Sequence, residues 1–109
     1  MKEQIKKFIY ENNNVSFPQL MRAIPNSSGN RVSCYDNENL ILWEGLSQPF
    51  VDAFEELLAE GSIGIRPVTL NTIALIHSFT RDGLLDYPVA KRIHKYARPH
   101  WLPAIIQRC

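Results

Sequence analysis

Ile5, Phe8 and Ile9 recur at i, i+3, i+4 among charged and polar positions, and this spacing predicts a first helix over residues 2–12. Asn12-Asn13-Asn14 ends it, because asparagine favours turns and left-handed backbone. A second helix is predicted over residues 16–24. Ser16 with Gln19 three positions later makes a capping box, Pro18 in the first turn costs no hydrogen bond, and Val15 and Leu20 can close a hydrophobic staple. Its buried stripe is Phe17, Leu20, Met21 and Ile24, and Pro25 with the polar run 26–30 terminates it. Residues 31–43 read as a hairpin, 32–35 and 40–43 flanking a four-residue polar turn at Asp36-Asn37-Glu38-Asn39.

The clearest helical pattern spans residues 47–60. Ser47 caps it, Pro49 lies in its first turn, and Leu46 can staple to Val51. Phe50, Val51, Phe54, Leu57 and Leu58 form one apolar face, and Gly61 supplies a left-handed terminator. Two strands follow at 62–68 and 72–77, with Pro67 placing the first at an edge. Asp82-Gly83 marks a turn. Residues 88–97 then predict a short basic helix, with Pro88 in its first turn and Val89, Ile93, Tyr96 and Ala97 on one face. The tail 99–106 is broken by prolines but carries Trp101, Leu102, Ile105 and Ile106, which predicts docking on the core.

These elements give an α+β fold in a single domain, with a core over 1–78 and an extension over 79–109 packed on it. A length of 109 residues, 45% apolar and 21% charged, suits one ordinary globular core. The net charge of +1 gives no global pull toward nucleic acid or a membrane. The first eleven residues are charged and resemble no export signal, and no apolar run approaches bilayer length, so the expected location is the cytoplasm, without a membrane partner. Cys34 and Cys109 are then expected to be reduced, Cys34 as a small core residue.

Charge is nearly balanced overall but segregated along the chain. From Asp36 to Glu60 there are seven acids and no base, and Asp52, Glu55, Glu56 and Glu60 fall on the outward face of the 47–60 helix. A solvated or partner-binding acidic face is the expectation, since no cleft is implied that would turn these carboxylates into an acid–base pair. Lys91, Arg92, Lys95 and Arg98 lie between Pro88 and Pro99 with no acid among them, and His94 and His100 sit beside them. Such a set can hold phosphates or an acidic partner. His77, His94 and His100 lack metal-site spacing, Cys34 has no histidine that sequence can place beside it, and the five glycines form no phosphate loop. The expectation is a non-enzymatic protein without metal or cofactor.

Helix, capped helix, short strands, amphipathic helix and a two-stranded ribbon, over residues 2–77, resemble a winged helix-turn-helix domain with an extra hairpin at 31–43. That resemblance implies a DNA-binding transcriptional regulator, with 47–60 as recognition helix and 68–71 as wing tip. Yet an acidic helix face is repelled by a duplex carrying one phosphate charge per roughly 1.7 Å of axis, and it lacks the arginine and lysine that read bases most often. The expected docking is therefore through Lys91, Arg92, Lys95 and Arg98. The competing expectation is a protein-interaction or self-assembly module, a homodimer included, in which acidic and basic faces of two chains meet.

Overall fold

Each helix begins where the side chains predict it. In a computed structural model that describes residues 1–69 and 85–109, α1 spans Lys2–Asn12, α2 Phe17–Ala23 and α3 Gln48–Ala59. Ser16 Oγ accepts from the Gln19 amide while the Gln19 side chain accepts from the Ser16 amide, completing the capping box. Ser47 Oγ accepts from the Phe50 amide at 3.3 Å and donates to the Asn26 carbonyl at 2.8 Å, so one hydroxyl caps α3 and ties it to the loop after α2. Gly61, at φ +77°, takes the left-handed position after α3 that a Cβ would disfavour.

The hairpin consists of β1 (Ser28–Tyr35) and β2 (Asn37–Leu46), longer on both sides than the apolar runs indicate. Its reversal is tighter than a four-residue turn: Tyr35 pairs with Asn37 around Asp36 at φ +68°. Aspartate tolerates that backbone, which lets the strands pair to the tip. The pairing is irregular, with register shifts on either side of Ser33. One consequence is that Ser33, not Cys34, faces inward: Ser33 is fully buried and Cys34 half-buried. Gly29 is required for close approach, because a Cβ there would lie 2.7 Å from the Leu46 carbonyl oxygen and the Ser47 Cα.

The C-terminal segment enters both sheets. Strand β4 (His100–Trp101) adds parallel to β2, pairing with Leu40 and Ile41 and giving the order β1-β2-β4. Strand β5 (Ala104–Arg108) pairs antiparallel with β3 (Ile63–Pro67) in a second sheet. Val15 extends that sheet through an antiparallel bridge to Ile106. The described partner of the 62–68 strand is thus β5; the expected strand at 72–77 and the turn at Asp82-Gly83 lie outside the described residues.

The core gathers Ile5 and Ile9 of α1, Phe17 and Leu20 of α2, Leu40–Trp43 of β2, Phe50, Phe54 and Leu57 of α3, and Trp101–Ile106. Aromatic rings connect these elements. Phe50 stacks on Phe54 at 6.0 Å, Phe54 meets Phe17 at 5.2 Å, Phe17 stacks on Trp43 at 6.1 Å, and Trp43 meets Trp101 edge-on at 6.0 Å.

Two outcomes follow from this packing. Phe54→Ala removes a fully buried ring that joins Phe50 to Phe17 in that series and should lower unfolding free energy by about 3–5 kcal/mol in denaturant melts; a loss under about 1 kcal/mol would show that the face is not core. Truncation after Arg98 removes β4 and β5 and should abolish cooperative unfolding, read by near-UV circular dichroism. An unchanged melting curve would contradict the buried placement of Trp101 and Ile106.

Candidate functional site

The basic helix expected at 88–97 is absent. These residues form an irregular loop closed at its base by backbone bonds between the two ends: Ala90 N–H donates to Trp101 O at 2.7 Å and Trp101 N–H to Pro88 O at 2.8 Å. The physical reason lies in burial. Val89 and Ile93, two of the four apolar positions, remain 37% and 48% exposed. So short a helix is marginal without a buried face, and pairing with Trp101 wins.

The hairpin tip holds the loop in shape. Asn37 Nδ2 donates to the His94 carbonyl at 3.1 Å, and Asn39 Nδ2 donates to the Tyr96 carbonyl at 2.8 Å. Inside the loop, the Tyr96 hydroxyl donates to Arg92 O at 3.2 Å, and His100 Nδ1 lies 2.8 Å from Arg98 O. Tyr87 at its approach donates to the half-buried Glu44 carboxylate at 2.9 Å, and that bond, followed by burial, raises the phenol's pKa. A compact loop with close ends, packed by its own side chains, is a common carrier of function.

Lys91, Arg92, Lys95 and Arg98 are all exposed, and none forms an ion pair among the described residues. The structure therefore brings the four cations together on a loop rather than on a helix face. Three rings stand among them. Tyr96 stacks on His100 at 3.9 Å with planes 17° apart, and His94 meets Tyr96 edge-on at 5.0 Å. A shallow recess of about 470 Å³ lies beside Tyr96, lined also by Asn37, Glu38, Asn39 and Lys95. The pinning asparagines were not legible as functional; in sequence they read as turn residues. His94, Tyr96 and His100 lie near one another in sequence, but it is the fold of the loop that makes their rings neighbours.

Asp52, Glu55 and Glu56 are exposed on α3 and Glu60 is exposed at its C-cap, but this acidic face is partly compensated. Lys2 Nζ of α1 lies 2.9 Å from Glu56 and 3.0 Å from Glu60, and these carboxylates raise its pKa. Asp52 accepts from Gln48 at 2.7 Å. Among the described residues no group of three His, Cys, Asp or Glu is placed to hold a metal ion. A second recess, about 560 Å³, is lined mainly by apolar groups such as Pro67, Val68, Val89 and Leu102, with Lys91 its one charged lining residue among those described. No helix among the described residues is long and apolar enough to cross a membrane.

Cys34 gives a test of this surface. Burial, then the charges of Glu55 and Glu38, push its thiol pKa up, whereas Cys109 is exposed. The thiolate is the reactive form. Disulfide-exchange titration near pH 8 should therefore give a fast phase from Cys109 and a slow phase from Cys34. Glu55→Gln should speed the slow phase modestly, because burial is the larger cause. Equal rates at the two thiols would overturn the half-buried placement.

Comparison with protein-family models, with curated proteins and with solved structures finds no match, so function is to be argued from the site itself.

Proposed function

We propose that this chain is a non-enzymatic regulatory module of winged-helix type that binds DNA through its basic loop rather than through α3. The observation that carries this reading is the placement of Lys91, Arg92, Lys95 and Arg98. They are exposed, and unpaired among the described residues, on a loop between β3 and β5 in the chain. In the winged-helix reading the wing tip is 68–71, and this loop follows it in sequence. The acidic outward face of α3 supports the same choice, since helix and duplex repel each other there.

Self-assembly through opposite faces is the second reading, favoured by the segregation of charge. It is weakened because Lys2 already occupies Glu56 and Glu60, which leaves Asp52 and Glu55 as the α3 acids without a cationic partner among the described residues.

The test is a salt titration of DNA binding by fluorescence anisotropy, with light scattering on the protein alone. Each phosphate contact contributes about 0.9 to the slope of log K against log salt on duplex DNA. Changing all four cations to alanine should flatten that slope by up to about four units, with little dependence on DNA sequence. Absence of salt-dependent binding would overturn the proposal. If instead the protein self-associates, high salt loosens the assembly, and charge reversal on both faces restores what reversal on one destroys, then the second reading takes its place.

A further inference from the structure

Phosphate contacts alone need only cations, yet this loop interleaves cations with rings. We infer that the nucleic acid it takes is a single strand, with bases stacked on the His94–Tyr96–His100 cluster; the inference rests on the DNA-binding reading above. Along the loop the order is Lys91, Arg92, His94, Lys95, Tyr96, Arg98, His100. Cations that follow a backbone beside rings that receive bases form the usual arrangement for unpaired strands.

The geometry suits this ligand. Tyr96 and His100 are already parallel within 17° at 3.9 Å, so they form a small π-stack that a base can extend. His94 is exposed and stands at 84° to Tyr96, a further ring at the surface that a base can meet. Glu38 and Lys95 both line the recess beside Tyr96, one side chain able to accept and the other to donate a hydrogen bond to a base edge. A base inside a duplex offers neither its face nor its pairing edge. Reading the duplex major groove calls for a helix or a two-stranded ribbon, and residues 91–99 are neither.

The full chain is titrated against a labelled mixed-sequence DNA strand of about 15 nucleotides, within the span of known single-strand sites. The same strand annealed to its complement serves as duplex. The wild type should bind the single strand roughly tenfold or more tightly than the duplex. His94→Ala, at an exposed position, and His100→Ala should each reduce that preference, and together abolish it, with the salt slope unchanged. Tyr96→Phe keeps the ring that packs against the core and should retain single-strand binding. Circular dichroism melts confirm that each variant folds. Imidazole proton resonances of His94 and His100 should move upfield when the strand is added, from base ring currents. Equal affinity for the two forms, or a preference insensitive to the histidine changes, overturns the stacking assignment while salt-dependent binding stands. Binding of neither form overturns this inference together with the reading beneath it.

Discussion

The contact between Trp43 and Trp101 sets the course of the whole C-terminal part of the chain. Trp43 lies on β2, in the apolar run Leu40–Trp43 that is buried throughout. Such a run needs cover on both faces and strand partners on both edges. One edge is met locally by β1. The other is met by β4, which runs parallel to β2, so the chain must travel away and return before Trp101 can arrive. From Trp43 the rings continue through Phe17 to Phe54 and Phe50, so the same contact joins the hairpin to α2 and α3. The long return is what places residues 91–99 on the outside, closed at the neck by Trp101's own backbone bonds.

Local chemistry was legible in the sequence, and long-range pairing was not. The capping box at Ser16, the cap at Ser47 and the left-handed Gly61 each depend on residues within a few positions, and the bounds of α2 and α3 follow from them. The β3–β5 pairing joins Ile63 to Arg108, across most of the second half of the chain, and nothing in a strand's own alternation names so distant a partner. The basic segment failed for a related reason. Val89, Ile93, Tyr96 and Ala97 have helical spacing, but spacing secures a helix only where a surface waits to bury the stripe. Here Asn37 and Asn39 take the carbonyls of His94 and Tyr96, and Trp101 takes the backbone at the neck.

The site residues were readable as a set of charges but not as a shape. Segregation of acids and bases survives folding, because among the described residues no long charged side chain is drawn into the core. What folding adds is the distinction between paired and unpaired charge. Lys2, remote in sequence, compensates Glu56 and Glu60, whereas the four cations of the loop keep their full fields. Nearly zero net charge therefore conceals a surface with a local positive end.

The two amide pins from the hairpin tip have a thermodynamic consequence. Fixing a backbone residue costs roughly 1–2 kcal/mol of conformational entropy, and for the loop this cost is met during folding of the chain, not during association. A ligand docking there would meet a surface already shaped, with few chain degrees of freedom left to lose. Its heat-capacity change should be that of a modest contact area rather than of coupled folding. The asparagines at the hairpin tip would then set the rigidity and hence the affinity of a loop more than fifty residues away in sequence.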